Sequence, residues 1–387
     1  MASTSGGNST KELKRVLGFK ELFSTAVGQI IGAGIMSLMG AAIAQTGRSI
    51  CIAFFIAAAL NLLTGIPSLL VSGAVRVRGG SYTVAGMLAG TQASGLWVIF
   101  FLFANISLGM YGLSFAEYFV PFFGFGNVKV VAVIILTLFF VLNLFGIDKM
   151  AKVQNVIVVL MCIALGLLAA FGIGKVQPDF FTKDFTTNGI VGILSASTLL
   201  TYAVQGASVV VNLSGEAKNP TKDIPRVILI STFAVTALYA VIGIVASGVL
   251  PVDQVANQSM SVVAEYILPA PAYAFFMVGG AMFAIATSLN AQFAWATKPL
   301  LQACDDGWFP KKLGYLHPKY KTPVVLLVIL YVFGVVFVIT GFDIGTLGNL
   351  GVIFSNLINF VIVINLYKIP KLIPKEWENS KFKVGKK

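Results

Sequence analysis

Three glycines interrupt the first long apolar segment of this chain, and this interruption most constrains how the chain can fold. Gly28, Gly32 and Gly34 lie within seven residues of one another in the run Val-Gly-Gln-Ile-Ile-Gly-Ala-Gly-Ile at 27–35. A glycine in a helix interior costs roughly 0.8–1 kcal/mol relative to alanine, so the run predicts a break in the helix. A second apolar segment has a similar interruption around Gly206.

The composition places both interruptions inside a membrane protein. Of the 387 residues, 57% are hydrophobic and 11% are charged, whereas soluble domains carry about 25% charged residues. About 20 apolar residues suffice to cross a bilayer. Ten segments are long enough, which predicts an all-α membrane protein with spans at 21–46, 49–75, 95–122, 128–146, 152–174, 189–212, 227–250, 270–297, 323–341 and 345–367.

The net charge of +12 is explained by orientation in a membrane rather than by a nucleic-acid partner. With the N-terminus in the cytoplasm, 23 of the 27 Lys and Arg residues fall in inner segments. Only Arg48, Lys129, Lys175 and Lys183 fall in outer ones. An excess of Lys and Arg in cytoplasmic loops is the positive-inside signature. We therefore expect a multi-pass protein of the cell membrane with both termini cytoplasmic.

The two interruptions stand in corresponding positions of two five-span halves, in spans 1 and 6. An odd number of spans per half inverts the second half relative to the first. Discontinuous spans at matching positions of such inverted repeats indicate the substrate site of a secondary transporter. The predicted organisation is a disordered tail at 1–15, a first repeat at 16–174, an extracellular connector at 175–188, a second repeat at 189–367 and a basic cytoplasmic tail at 368–387.

A broken helix presents main-chain donors and acceptors to whatever lies beside it. The amides of Gly32 to Gly34 would form a helix N-terminus, which suits a carboxylate, and carbonyls at the other ends suit an ammonium group or a metal cation. Together they match the backbone of an α-amino acid. The candidate substrate-binding residues are Ile30, Ile31, Gly32, Ala33, Gly34, Tyr202, Ala203, Gln205 and Gly206. The alternative is that these glycines only let helices pack closely, since Gly28 and Gly32 stand four residues apart.

The sequence offers no candidate catalytic site. Cys51, Cys162 and Cys304 lie far apart, and the single histidine, His317, lies in a loop. No disulfide or metal spacing results, and no nucleophile stands beside a base. We therefore expect neither an enzyme nor a covalent cofactor.

Several motifs together resemble the amino acid–polyamine–organocation (APC) superfamily, near its L-type amino acid transporter branch. They are the glycine run at 27–35, Gly-Gly-Ser-Tyr at 79–82, Glu-Ala-Lys-Asn-Pro at 216–220 with Ile-Pro-Arg at 224–226, and Asn290 with Gly-Trp-Phe-Pro at 307–310. The resemblance implies the LeuT-like inverted five-plus-five fold, amino acid substrates and alternating access. It also places Tyr202 where relatives have an aromatic gate.

The chain departs from this family in its length and in span 5. Members usually have twelve spans, and residues 381–384 resemble the approach to an eleventh, so a truncation and a natural short form both remain open. Many relatives carry a lysine seven residues after the glutamine that corresponds to Gln154, where this chain has Met161. Proton relays in membranes usually need an ionisable residue, so we do not expect proton coupling there.

A third departure suggests sodium. Span 8 contains Ala-Ile-Ala-Thr-Ser at 284–288, which resembles a stretch of the bacterial sodium-coupled leucine transporter. That resemblance implies a Na+ site formed by the carbonyls of Gly28, Ile31 and Ala284 and the hydroxyls of Thr287 and Ser288. The alternative is that both hydroxyls bond to carbonyls of the preceding turn, as Ser and Thr often do in helices.

We therefore expect a secondary active transporter of neutral L-amino acids that works by alternating access and is coupled to Na+. A sodium-independent exchanger and an amino acid sensor that binds without transporting remain alternatives. The accepted side chains, the oligomeric state and any accessory subunit are left open by the sequence.

Overall fold

The computed structural model describes residues 9–342 and 344–382, and within them the chain is helical apart from turns and two isolated β-bridges. Six helical stretches in this part are long and apolar enough to cross a membrane. Two shorter apolar helices accompany them, Val128–Leu144 and Val324–Thr340. The predicted all-α membrane architecture agrees with these findings.

Each of the ten predicted spans corresponds to one, two or three consecutive helical segments. Their bounds are Phe19–Ile30 with Ala33–Thr46 (spans 1a and 1b), Ile50–Ala74 (span 2), Thr91–Ala104 with Ser107–Phe123 (span 3), Val128–Leu144 (span 4), Ile147–Ile173 (span 5), Gly189–Val204 with Ala207–Leu213 (spans 6a and 6b), Pro220–Gly248 (span 7), Ala270–Phe275 with Phe276–Met282 and Phe283–Asp305 (span 8), Val324–Thr340 (span 9) and Ile344–Ile364 (span 10). The middle part of span 8 is a π-helix.

Shorter helices lie between and after the spans. Ser81–Ala89 follows span 2, Val252–Val255 and Met260–Ile267 follow span 7, and Ile369–Leu372 and Pro374–Asn379 follow span 10. Short 3-10 helices cover Thr10–Glu12, Gly47–Ser49, Lys311–Gly314 and Leu366–Lys368. We call the end of the bundle that carries residues 9–18 and 365–382 the inner end, because it is predicted to face the cytoplasm, and the opposite end the outer end.

The helix breaks predicted in spans 1 and 6 are confirmed. Span 1 leaves the helical conformation at Ile31 and resumes at Ala33 after Gly32. Span 6a ends at Val204, and Gly206 follows with a φ of +128°, a backbone region that glycine enters readily and other residues rarely do. The continuation as span 6b is a 3-10 helix rather than an α-helix.

The two broken spans lie at the centre of the bundle. Span 1a packs against spans 5, 7 and 8 and against span 6b, whereas span 1b packs against span 6a. The helix ends created by the two breaks therefore come together in the protein interior, where neighbouring spans surround them.

Three spans begin earlier or end later than hydropathy predicts. Span 5 begins at Ile147, span 7 at Pro220, and span 8 continues to Asp305. The additional turns carry charges that the protein buries, such as Asp223 and Lys298. A hydropathy boundary placed at the first charged residue misses such turns, because their charges face other protein segments rather than water.

The predicted disordered tail at 1–15 begins outside the described residues, but its part from Ser9 onward contains a short helix at Thr10–Glu12 and packs on the protein. The Thr10 main-chain amide and hydroxyl both donate to the Asp305 carboxylate at 2.9 Å. The Thr10 side chain is buried. This segment therefore rests on the inner end of span 8. The connector at 175–188 is fastened to the rest of the protein at two points, since the Phe180 ring is buried and Arg48 pairs with Asp179 at 2.9 Å.

Candidate functional site

A cavity of about 290 Å³ lies between the two broken spans. Spans 2, 3, 7, 8 and 10 complete its wall, and among the described residues its lining contains neither acidic nor basic side chains. Ser81 and Asn212 line it, so it extends toward the inner end. On the outer side, hydrogen bonds join span 1b to its neighbours. The main-chain amide of Asn257, after span 7, donates to the Gly40 carbonyl at 2.9 Å, and the Tyr118 hydroxyl of span 3 donates to the Met36 carbonyl at 3.2 Å.

Most of the predicted substrate-binding residues border this cavity. Those that line it are Ile30, Gly32, Gly34, Tyr202, Gln205 and Gly206. Ile31 and Ala203 are buried beside it and do not line it. Ala33 begins span 1b, and its side chain lies outside the described part of the structure.

Helix ends from both breaks lie beside the cavity. Span 1b begins directly after Gly32, so its first amides have no partner within the helix and form its positive end. Span 6a ends opposite them, and its last carbonyl, that of Val204, accepts a hydrogen bond from the Asn61 side-chain amide at 3.0 Å. The carbonyl of Ile30 accepts one from the buried Tyr239 hydroxyl at 3.1 Å.

The glycines at the breaks also let neighbouring helices pack closely, as the alternative interpretation of the glycine run proposed. A Cβ atom at Gly34 would lie 2.8 Å from the Ala203 Cα atom, and one at Gly206 would lie 3.1 Å from the Gln29 main chain. A Cβ atom at Gly32 would collide with the Ser288 hydroxyl. The same residues thus bring spans 1, 6 and 8 together and leave main-chain groups at the cavity.

A hydrogen-bonded set of side chains in the cavity wall was not predicted. The Trp295 indole N–H donates to the Gln29 side-chain carbonyl at 2.9 Å, and the Gln29 side-chain NH2 donates to the Tyr111 hydroxyl at 3.2 Å. Tyr202, the predicted gate, lines the cavity with them, and its hydroxyl lies 3.4 Å from the Met110 sulfur. The available signal was Gln29 itself, a polar side chain at the centre of the glycine run.

Span 3 supplies a third interruption, which sequence analysis also missed. Its helix is interrupted at Asn105 and Ile106, and the Asn105 side-chain NH2 donates to the Phe101 carbonyl at 2.7 Å. Gln292 of span 8 donates to both the Asn105 side-chain carbonyl at 3.0 Å and the Ser107 hydroxyl at 2.8 Å. These amides and hydroxyls give one wall of the cavity an uncharged polar surface.

Four of the five residues of the proposed Na+ site meet in one place. The Gly28 carbonyl accepts hydrogen bonds from the Thr287 hydroxyl at 3.1 Å and the Ser288 hydroxyl at 2.9 Å. The same hydroxyls lie 2.8 Å and 3.3 Å from the Ala284 carbonyl. Ile31 is fully buried between the two halves of span 1. The group consists of hard oxygen donors, which fits the chemistry of an alkali cation.

A chain of buried amides continues from this group toward the inner end. Gln154 donates to the Thr287 carbonyl at 3.2 Å and accepts from Asn290 at 2.8 Å. Asn290 in turn accepts from Asn143 at 3.0 Å. Because polar side chains inside a membrane are costly and usually functional, these residues were detectable from the sequence as amides within apolar spans.

The amide chain leads toward a buried ion pair. Asn143, Glu216 and Lys298 line a small cavity of about 10 Å³, close to the space that one water molecule needs. The Lys298 ammonium lies 3.0 Å from a Glu216 carboxylate oxygen, and both side chains are almost completely buried. Burial raises the pKa of Glu216, which lies between spans 6 and 7, whereas Lys298 acts to lower it.

These features define the class of protein: two inverted helical repeats whose broken spans surround a central cavity, as in secondary transporters. The chain belongs to the amino acid permease family, whose family model matches residues 17–382. It is therefore a multi-pass membrane protein that transports amino acids. The predicted membership of the APC superfamily is confirmed, while assignment to the L-type branch stays a prediction.

Two curated relatives and one solved structure illustrate the similarity. The branched-chain amino acid permease BcaP of Bacillus subtilis is 27% identical over 98% of this chain and 86% of the relative. The serine/threonine exchanger SteT of the same organism is 24% identical over 81% of this chain and 74% of the relative. Mhp1, a nucleobase-cation-symport-1 family transporter, has 14% identity over 94% of this chain and 80% of that structure, with a TM-score of 0.63. This last similarity confirms the predicted LeuT-like fold.

Proposed function

We propose that the protein carries neutral L-amino acids across the cytoplasmic membrane by alternating access, with both termini on the cytoplasmic side. The main support is the cavity between the broken spans, whose described lining has no acidic or basic side chain and combines amides and hydroxyls with aromatic rings. Burying a charged side chain there would be costly without an opposite charge. A substrate whose only charges are its ammonium and carboxylate groups fits this cavity.

The helix ends suggest how the zwitterion is held. In this proposal the carboxylate accepts hydrogen bonds from the first amides of span 1b at Gly32 to Gly34, where the helix dipole favours an anion. The ammonium group donates to carbonyls on the opposite side, at Ile30 and near Tyr202. Because Tyr239 already donates to the Ile30 carbonyl, the ammonium would use its second lone pair.

Sodium coupling is the second part of the proposal. The Gly28 and Ala284 carbonyls and the Thr287 and Ser288 hydroxyls surround one point between span 1 and span 8. A Na+ ion at that point would fix span 1a against span 8 beside the substrate cavity. It would thereby order the main-chain groups that hold the amino acid.

Exchange without sodium is the competing function, and one observation favours it. Both hydroxyls donate to carbonyl oxygens in this structure, and the bonds to Ala284 are those of ordinary Ser and Thr residues in a helix. In this case Thr287 and Ser288 connect spans 1 and 8 by hydrogen bonds alone. The relative SteT is named an exchanger.

A thermal-shift screen tests the proposal. The purified protein is heated with each of the twenty amino acids, in Na+ and then in K+ at constant ionic strength. We expect stabilisation by neutral L-amino acids, none by lysine or glutamate, and a larger shift in Na+. A shift that is equal in the two salts would favour exchange. Counterflow of labelled amino acid in proteoliposomes then separates a transporter from a sensor that only binds.

A further inference from the structure

Four basic residues from three chain segments come together where span 2 reaches the inner end. Arg76 and Arg78 directly follow span 2. The Leu17 amide donates to the Glu216 carbonyl at 3.0 Å, and the Lys218 amide donates to the Leu17 carbonyl at 2.8 Å. This pairing brings the N-terminal segment with Arg15 alongside Lys218. The Arg76 guanidinium then donates to the Lys218 carbonyl at 3.2 Å. We call Arg15, Arg76, Arg78 and Lys218 the basic cluster.

No ion pair of the basic cluster is found among the described residues. The ion pairs found in that part of the chain are Arg48–Asp179, Lys298–Glu216 and Lys321–Glu12, and none involves the cluster. One nitrogen of Arg76, Nη1, is buried without a hydrogen-bond partner. Burial lowers the pKa of Arg76, and the neighbouring charges of Arg15 and Arg78 lower it further. Repulsion within the cluster and an unsatisfied guanidinium nitrogen both call for a negatively charged ligand.

The position of the cluster indicates where that ligand comes from. The C-terminal segment folds back onto the same end of span 2, where the Ser380 hydroxyl donates to the Gly73 carbonyl at 3.2 Å. The helix Pro374–Asn379 just before it carries the half-buried Trp377 and the exposed Lys375. Tryptophan and lysine at the end of a span are typical of the level of lipid headgroups. The cluster therefore lies at headgroup level and not deep in the aqueous phase.

We propose that the basic cluster binds the headgroup phosphate of an anionic phospholipid in the leaflet at the inner end. Arginine suits this ligand because its planar guanidinium donates two parallel hydrogen bonds to a phosphate. The phosphate accepts from the arginine side chains of the cluster, and its charge offsets the repulsion among these cations. The bound lipid joins the N-terminal segment, span 2 and the loop between spans 6 and 7. This site is separate from the amino acid cavity and does not depend on the proposed substrate.

Native mass spectrometry of the full chain tests the site, with retained phosphatidylglycerol compared with retained phosphatidylcholine. The test variant is Arg76→Gln with Arg78→Gln. The control is Lys311→Gln with Lys312→Gln, two exposed lysines of the loop between spans 8 and 9 that give the same charge change. Each basic residue near a membrane surface contributes about 1 kcal/mol toward anionic lipid, so the test variant should retain at least about tenfold less phosphatidylglycerol. The control should retain as much as the wild type.

Equal losses in both variants would mean that only net charge matters, and unchanged retention in the test variant would mean that no site exists. Either result overturns the proposal. Glycerol 3-phosphate, which has the phosphate without acyl chains, supplies the second arm. If it displaces phosphatidylglycerol at millimolar concentration, the ligand is a soluble phosphate compound and the assignment to lipid is wrong. If the test variant loses the lipid because it unfolds, its gel-filtration profile shows this. The single Arg76→Lys variant then takes its place, because it keeps the positive charge but loses the planar guanidinium that donates two parallel hydrogen bonds.

Discussion

The Thr287 hydroxyl lies 3.1 Å from the Gly28 carbonyl oxygen, although 259 residues separate the two in sequence. This bond joins the first broken span to span 8 at the side of the cavity. Ser288 makes an equivalent bond at 2.9 Å. The break in span 1 frees a carbonyl that a continuous helix would have used internally, and span 8 places two hydroxyls against it.

Replacing both hydroxyls should remove the effect of sodium on substrate binding. If Na+ occupies this site, wild-type affinity for a neutral amino acid should rise about 5- to 150-fold in sodium. The amino acid should raise the affinity for Na+ by the same factor. Thr287→Ala with Ser288→Ala should bind the amino acid equally in Na+ and K+. Equilibrium binding in the two salts measures this. A wild type that does not respond to sodium would refute the site and favour exchange.

Gln154→Leu should destabilise the protein, because it leaves the Thr287 carbonyl and the Asn290 amide without their partner. A buried polar group left unsatisfied costs about 1–3 kcal/mol, so the temperature of unfolding in detergent should fall. Gln177→Leu offers a comparison at the outer end, where the glutamine side chain bonds Arg48. If the Gln154→Leu protein unfolds at the wild-type temperature, the amide chain adds nothing to stability.

Breaking the buried ion pair should be more damaging than removing it. Lys298→Met leaves the Glu216 carboxylate buried without a counter-charge, and the expected loss is about 3–5 kcal/mol. Glu216→Gln replaces a carboxyl group whose pKa burial raises, so its loss should be smaller. The double variant removes both charges and should lose less than the two single losses added together. The exposed pair Lys321–Glu12 provides the control, since surface pairs contribute about 0–1 kcal/mol. Unfolding in detergent measures these differences for the wild type, the two single variants, the double variant and the corresponding variants at Lys321 and Glu12. Strict additivity at 216 and 298 would argue against coupling.

Glu216 should also give stability a dependence on pH. Burial raises its pKa above the ordinary value of 4.5, so the folded protein binds this proton more tightly than the unfolded chain. The resulting stabilisation is fully present below pH 4.5 and is lost as the pH rises through the raised pKa. A Glu216→Gln variant should lack this part of the profile. The measurement is the unfolding temperature of the wild type and of Glu216→Gln from below pH 4.5 upward. Superimposable profiles of the two proteins would exclude the effect.

Gly34→Ala should weaken both folding and substrate binding. The added Cβ atom would come 2.8 Å from the Ala203 Cα atom, so spans 1 and 6 must separate. Forcing extra atoms into close packing typically costs about 1–3 kcal/mol. Gly166→Ala in span 5 is the matched control, because no atom lies within 4 Å of its new Cβ. Binding affinity and unfolding temperature should fall for Gly34→Ala alone, and an unchanged affinity would place the substrate elsewhere.

Local sequence determined the spans and the two breaks. Apolar segments of sufficient length have few alternatives in a bilayer, where every backbone group must be satisfied internally. Gly32 and Gly206 interrupt those segments at positions that local composition reveals. The five residues of the proposed Na+ site were identifiable through the resemblance to a known family. The structure brings four of them together, Gly28, Ala284, Thr287 and Ser288.

Only the tertiary structure decided which distant side chains complete these features. Asn61 caps span 6a, Tyr239 bonds the Ile30 carbonyl, and Gln292 meets the interruption in span 3. Nothing in the local sequence around these residues indicates their partners, because hydrogen bonds between spans depend on how the helices pack. Lys298 shows the same limit: hydropathy assigned it to a loop, whereas packing placed it in span 8 against Glu216. A charge can remain buried there because the fold supplies its counter-charge from 82 residues away.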